Sequence, residues 1–181
     1  MKWLAIPLAI LLIAAVAVLT QNGGNEGEAR AAPRVQYTRT CTAFSSLDPY
    51  PADKKRDAIL GRAFIGAFRS SFENAKPENV YQPKPGRFEL KAPFVFKGRR
   101  DITVVVPKAD RAVVRLGYRE SGHKGYSSVR FESCGTFTGY PGGIIYTGPW
   151  PACIPLDVTV GSRAATRYVL SLGAGKCPPP E

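Results

Sequence analysis

Histidine is almost absent from this sequence, and its scarcity argues against the commonest form of nucleophilic catalysis. His123 is the single histidine, and it lies in the segment Glu120-Ser-Gly-His-Lys-Gly125. A serine hydrolase needs a base held in one tautomer beside its nucleophile. The glycines and Lys124 around His123 predict a solvated hairpin tip instead, and the GxSxG pattern of hydrolase nucleophile elbows is missing.

Acidic residues are also scarce: the chain has 14 Asp and Glu against 25 Lys and Arg. A glycosidase needs two carboxylates facing each other across a cleft, and the acidic residues here are scattered through turns and outward strand positions. The segment Gly173-Ala-Gly-Lys-Cys177 is too short for a phosphate loop. A secreted hydrolase is therefore only the weakest alternative, and no cofactor is expected.

The resulting formal net charge of +11 attracts polyanions. Anionic lipid head groups and polymers of the cell envelope are the partners that this charge favours. Nucleic acid is disfavoured as a partner because no nucleic-acid-binding motif is visible. The alternative is that the basic surface serves only solubility.

The sequence has no CxxC pair, and so a zinc site is not indicated. Its four cysteines are Cys41, Cys134, Cys153 and Cys177. An even number of cysteines in an exported chain predicts two disulfides, for which three pairings are possible. We favour Cys134–Cys153, which are close in sequence, together with Cys41–Cys177.

The one long apolar run is Trp3 to Leu19, after Met1-Lys2 and before the polar, glycine-rich segment Gln21–Glu28. This order is typical of an export signal. Small residues are poorly placed for cleavage, and so an uncleaved single-pass anchor with the remainder outside is favoured over a cleaved signal and secretion. The predicted organisation is an anchor or signal peptide at 1–19, a flexible linker at 20–34 and an extracytoplasmic domain at 35–181.

Alternation of apolar and polar residues recurs along that domain and predicts half-buried strands. The alternation is clearest between Arg111 and Arg119. The alternating segments are 35–40, 88–91, 94–96, 102–106, 111–119, 129–132, 156–160 and 167–172, which make seven or eight short strands. A further hairpin strand at 143–146 is expected inside the loop that a Cys134–Cys153 disulfide would close. We therefore expect a mainly β fold, an antiparallel two-sheet sandwich of Ig-like architecture behind an N-terminal transmembrane or signal helix.

Residues 57–74 fit two structures equally well. Leu60, Phe64, Phe68 and Phe72 repeat every four residues, as on one face of a helix. Glycines at 61 and 66 oppose a helix, because each costs about 1 kcal/mol relative to alanine. A short helix and a buried strand both remain open here.

Several short motifs follow one another between residues 88 and 177. They are Lys91-Ala-Pro93, Ile102-Thr-Val-Val-Val-Pro107, Val129-Arg-Phe-Glu-Ser-Cys134 and Ser171-Leu-Gly-Ala-Gly-Lys-Cys177. In these motifs the chain resembles a group of short exported proteins of actinobacteria. The resemblance implies an extracellular β-domain with disulfides and brings no catalytic residues.

Two features are candidates for a binding surface. The first is a stripe of arginines, Arg111, Arg115 and Arg119, extended by Lys97, Arg99, Arg100 and Arg130. Guanidinium groups at alternate outward positions can hold phosphates or carboxylates. Alternatively, they only solvate the sheet and protect its edge from aggregation.

The second candidate is the stretch from Thr138 to Cys153, which contains Tyr140, Tyr146 and Trp150. Rigid aromatic rings lose little entropy on binding and suit a sugar or a protein partner. Alternatively, Tyr146 and Trp150 cover the end of the core and pack on the disulfide.

These observations predict an envelope protein whose extracytoplasmic domain acts by binding or interaction and not by catalysis. An envelope protein partner for the aromatic stretch is one possibility. An electrostatic binder of anionic envelope polymers or lipids through the basic face is the other.

Overall fold

The computed structural model describes residues 34–43, 52–118 and 124–179. In these ranges the chain is mainly β, as its alternating pattern predicts, and it contains one short α-helix, α1 (Phe68–Phe72). The strands are β1 (Tyr37–Arg39), β2 (Ala58–Leu60), β3 (Ala63–Ile65), β4 (Phe88–Lys91), β5 (Phe94–Lys97), β6 (Ile102–Val105), β7 (Val114–Leu116), β8 (Ser128–Phe131), β9 (Phe137–Tyr140), β10 (Gly143–Tyr146), β11 (Ala152–Val160) and β12 (Thr166–Leu172). Short 3-10 turns occupy Cys41–Ala43, Pro77–Asn79 and Lys108–Asp110.

The strands form three sheets and not the expected two. Their orders are β1-β8-β6-β11-β12, β4-β10-β7 and β2-β3-β5-β9. All pairs are antiparallel except β1 with β8, which run parallel. The antiparallel expectation is therefore confirmed for every pair but that one.

Two pairs of consecutive four-residue strands connect the second sheet to the third, each through a two-residue bend. Strand β4 leads into β5 through Ala92-Pro93, and β9 leads into β10 through Pro141-Gly142. The Ala92 N–H donates to the Gly142 carbonyl over 2.9 Å, which continues the pairing across the bend. Gly143 follows the bend, and a Cβ there would lie only 1.8 Å from the Leu90 carbonyl oxygen. Glycine is therefore required where β10 approaches β4.

Aromatic side chains form the centre of the core that the three sheets share. Phe131 of β8 is fully buried and stacks on Phe94 of β5, with ring centroids 4.3 Å apart. Tyr118 and Tyr140 meet the same ring at 5.1 and 5.4 Å. Inward positions of strands from all three sheets complete this cluster, and so one core stabilises the whole described fold.

Residues 57–74, whose sequence fits both a helix and a strand, contain both kinds of element. Strands β2 and β3 form a hairpin, and α1 follows them after a turn. Gly61 makes the hairpin possible, because it lies in the left-handed region at φ 68°. The fully buried carboxylate of Asp57 accepts the backbone N–H groups of Asp53 and Ala67, each over 2.8 Å, and fixes the turns on either side of the hairpin.

The four cysteines form two disulfides, as predicted, but the favoured pairing is wrong. Cys41 is bonded to Cys134, and Cys153 is bonded to Cys177. Closeness in sequence misled the prediction, because the parallel pairing of β1 with β8 brings Cys41 beside Cys134. Cys153 lies on β11 next to β12, and the chain returns after β12 to place Cys177 within bonding distance.

No helix within the described residues is long and apolar enough to cross a membrane. The predicted anchor at 1–19 lies outside those residues, as does the predicted linker apart from Arg34.

Candidate functional site

The aromatic stretch between Thr138 and Cys153 does not present its tyrosine rings to solvent. Tyr140 is fully buried and Tyr146 is 4 % exposed, and both belong to the core cluster. The Tyr146 hydroxyl donates to the Pro149 carbonyl over 2.6 Å. The expectation of projecting tyrosines is therefore wrong, since β9 and β10 turn these side chains toward the apolar interior.

Trp150 covers one end of the core. Its ring centroid lies 4.8 Å from that of Phe88, and its indole N–H donates to the Ala75 carbonyl over 3.2 Å. The indole also lies directly against Gly173, where a Cβ would be 2.2 Å from Nε1. These contacts agree with the alternative in which Trp150 is structural.

Replacing Trp150 by alanine is expected to lower the free energy of unfolding by about 2 kcal/mol, because the packing of a half-buried ring and its hydrogen bond are removed. Trp150→Phe keeps most of the ring packing against Phe88 and should cost about 1 kcal/mol. Urea denaturation of both variants measures the difference. Equal stability of Trp150→Ala and the wild type would restore Trp150 as a candidate for partner binding.

Tyr140 joins the first disulfide to the core. Its hydroxyl donates to the Glu132 carbonyl over 2.8 Å and lies 3.2 Å from Cys134 Sγ. Burial and the nearby charge of Glu132 raise the pKa of Tyr140 to about 12. The hydroxyl stays protonated at neutral pH and so remains a donor to the Glu132 carbonyl.

The predicted arginine stripe is not realised as three residues on one strand. Arg111 lies in the turn before β7, and its Nε donates to the Val106 carbonyl over 3.0 Å. Arg115 is on β7, opposite Ile145 of β10. Arg119 lies outside the described residues. The alternation fails at Arg111 because the chain forms successive turns after Pro107, with the Val113 N–H bonded to the Asp110 carbonyl.

Cations instead gather where three turns meet, and we call this group the basic end. All of its members are exposed. They are Arg62 in the β2–β3 turn, Lys97 at the end of β5, Arg99 and Arg100 in the β5–β6 turn, and Arg163 in the β11–β12 turn. The Lys97 N–H donates to the Arg62 carbonyl over 3.2 Å, and the Gly161 N–H donates to the Asp101 carbonyl over 2.9 Å. These backbone bonds tie the three turns together.

The cations of the basic end have no acidic partner in the described part of the chain. Asp101 is the nearby carboxylate, and it is occupied by Arg130, whose Nε donates to Oδ2 over 3.0 Å, and by the Ser133 N–H. Burial raises the pKa of Asp101, but these hydrogen bonds outweigh it and hold the pKa below its usual value. Asp101 is thus an anion already neutralised by Arg130, and the positive field of the basic end stays uncompensated.

A cleft of about 280 Å³ opens beside the basic end on the outward side of β2, β3, β5 and β9. Its apolar lining includes Ile59, Phe64 and Phe137, and its cations are Arg62 and Lys97. The Lys97 ammonium lies 5.5 Å from the centre of the Phe137 ring. The cleft therefore combines an apolar floor with two positive groups.

A second cleft, of about 210 Å³, lies between the open edges of β2 and β12. Its charged lining is mixed, with Arg69 and Lys176 against Glu73. This cleft therefore favours neither an anionic nor a cationic ligand.

Sequence reasoning identified Lys97, Arg99 and Arg100 as possible extensions of the stripe but missed Arg62 and Arg163. Both missed residues follow a turn glycine, as Gly61-Arg62 and Gly161-Ser-Arg163. That local signal marks an exposed cation in a turn. It does not reveal that the three turns meet at one end of the fold, although the second follows the first by about forty residues and the third follows the second by about sixty.

No group of three or more potential metal ligands occurs among the residues that the structure describes. His123 lies outside them. In comparisons with known proteins, no family model, no curated protein and no solved structure matches this chain.

Proposed function

We propose that this protein is an extracytoplasmic binding domain, held at the membrane by its N-terminal segment, which binds anionic polymers or lipids of the cell envelope through the basic end. One observation carries the proposal. Five exposed cations from three separate turns converge, and no described acidic residue neutralises them.

Such a cluster is costly in the absence of a ligand. Like charges on neighbouring positions repel, and this repulsion lowers the free energy of unfolding. A phosphate or carboxylate bound there removes the repulsion and accepts charge-assisted hydrogen bonds from the guanidinium groups. Four of the five cations are arginines, the side chain best suited to bidentate contacts with these groups.

The roles of the buried and paired carboxylates support binding and not catalysis. Asp57 accepts backbone N–H groups in the interior, whereas Asp101 and Asp157 are paired with Arg130 and Arg167. Each of these acidic groups is used to hold the fold together. A hydrolase would need two of them facing one another across a cleft.

The location outside the cytoplasm is supported by the two disulfides, because such bonds persist in oxidising compartments. The basic, apolar and polar order of the N-terminal residues supports a membrane anchor. Secretion after cleavage is the alternative, and it leaves the binding proposal unchanged.

Loss of the basic end is expected to weaken polyanion binding strongly. The full chain would be held in nanodiscs of neutral phosphatidylcholine and titrated with a soluble poly(glycerol phosphate) at several salt concentrations. Arg99→Gln/Arg100→Gln/Arg163→Gln should reduce the affinity at low salt by roughly tenfold or more. The logarithm of the binding constant should also fall less steeply with the logarithm of the salt concentration. The slope should change by roughly one for each phosphate that is no longer neutralised.

The matched control removes the same charge elsewhere. Lys76→Gln/Lys84→Gln/Lys108→Gln neutralises three exposed lysines that do not belong to the basic end. If both triple variants lose affinity equally, net charge and not the basic end explains binding. Binding that is flat with salt in the wild type would refute the electrostatic function itself.

A further inference from the structure

We propose that the cleft beside the basic end binds the hydrocarbon part of an anionic amphiphile, with a phosphate headgroup held by Arg62 and Lys97. This inference rests on the proposed function and specifies its ligand as a lipid-like phosphate and not as a water-soluble polymer alone. The cleft shares Arg62 and Lys97 with the basic end and adds apolar side chains that a polymer of charged units would not need.

Apolar side chains from three strands line the cleft. Phe64 of β3 is 5 % exposed, and Ile59 of β2 and Phe137 of β9 are half-buried around the opening. Its volume of about 280 Å³ lies near the lower limit, about 300 Å³, of pockets that hold small molecules. One alkyl chain fits this volume, whereas a large ring system does not.

Backbone pairing brings Arg62 and Lys97 to the same cleft. The hydrogen bond from the Lys97 N–H to the Arg62 carbonyl joins the end of β5 to the β2–β3 turn. The guanidinium of Arg62 lies over Gly98, within 3.6 Å of the position of a Cβ there. The Lys97 ammonium lies over the Phe137 ring, and so one charge is located directly at the edge of the apolar lining.

This arrangement discriminates between classes of ligand. A neutral amphiphile would leave Arg62 and Lys97 uncompensated, and inorganic phosphate would leave the apolar part of the cleft unfilled. An anionic amphiphile fills the apolar part of the cleft with its hydrocarbon chain and pairs its phosphate with the two cations. Burial of apolar surface and charge-assisted hydrogen bonds each favour its binding.

Photolabelling tests the inference directly. The full chain in phosphatidylcholine nanodiscs would be irradiated with an octyl phosphate that carries a diazirine on its chain, and labelled residues would be mapped by mass spectrometry. We expect labelling at Ile59, Phe64 or Phe137. Octyl phosphate should compete at least about tenfold better than glycerol phosphate, which has only the headgroup, or octyl glucoside, which has only the chain.

Arg62→Gln/Lys97→Gln should reduce that labelling about tenfold, whereas Lys76→Gln/Lys84→Gln should leave it unchanged. Both pairs are exposed, and equal melting temperatures would verify that the variants are folded. Labelling elsewhere, labelling that survives loss of Arg62 and Lys97, or equal competition by octyl glucoside would overturn the inference. If the cleft is not labelled but poly(glycerol phosphate) still binds through Arg99, Arg100 and Arg163, only this inference fails and the proposed function stands.

Discussion

Replacing Cys41 and Cys134 by serine is expected to lower the free energy of unfolding by about 4.5 kcal/mol. The two cysteines are 93 residues apart, and so their bond closes a loop that includes most of the described chain. Closing a long loop removes much of the conformational entropy of the unfolded state. The bond also fixes β1, a three-residue edge strand, beside β8.

The second disulfide provides the internal comparison. Cys153 and Cys177 are 24 residues apart, and so serine at both positions should cost about 3.5 kcal/mol. Urea denaturation of the two double variants measures both values, and mapping of disulfide-linked peptides identifies the pairs. Recovery of a peptide that links Cys134 to Cys153 would refute the pairing, and a larger loss of stability from replacing Cys153 and Cys177 would refute the dependence on loop length.

Replacing Phe131 by alanine is expected to lower the free energy of unfolding by about 4 kcal/mol, because the deletion leaves a cavity that its neighbours cannot fill. The ring is fully buried and touches Phe94, Tyr118 and Tyr140. Phe131 belongs to the first sheet, Phe94 and Tyr140 belong to the third, and Tyr118 follows β7 of the second. The substitution therefore weakens the packing of all three sheets at once.

Phe131→Leu is the matched variant, since it retains much of the volume and should cost less than about 1.5 kcal/mol. Val35→Ala, at an exposed position, should stay within about 0.5 kcal/mol of the wild type. Urea denaturation followed by far-UV circular dichroism measures all three. A loss of stability below about 2 kcal/mol for Phe131→Ala would show that the core closes around the gap.

Local patterns predicted the strands well where one face is buried and the other is solvated. Strand β4, whose buried and more exposed residues alternate, coincides with the predicted segment 88–91. Strand β10 coincides with 143–146 although all four of its residues are buried. Between Arg111 and Arg119 only Val114–Leu116 is a strand, because the turns that follow Pro107 take up the first residues. Strand β9 was missed because Phe137–Tyr140 carries no clear alternation: Thr138 and Gly139 are buried along with Tyr140.

The candidate site could be predicted only in its components. The excess of basic residues and the positions of Lys97, Arg99 and Arg100 were visible, but the sequence did not show that these residues share one end of the fold with Arg62 and Arg163. The aromatic residues were visible too, but composition does not distinguish a ring that binds a partner from one that fills a core. Tyr140 and Tyr146 are buried because β9 and β10 belong to two sheets that share one core, and the sheet to which a strand belongs is a long-range property.

The sequence alone determined the β-rich class, the presence of two disulfides and the sign of the surface charge, because these depend on local alternation, cysteine number and composition. Tertiary structure decided which cysteines pair, which aromatics are buried and which cations share one end. All three depend on strand order, and strand order is set by contacts between residues far apart in sequence. The Cys41–Cys134 bond depends on β1 pairing with β8, and the basic end depends on three turns meeting, and neither leaves a local signature in the chain.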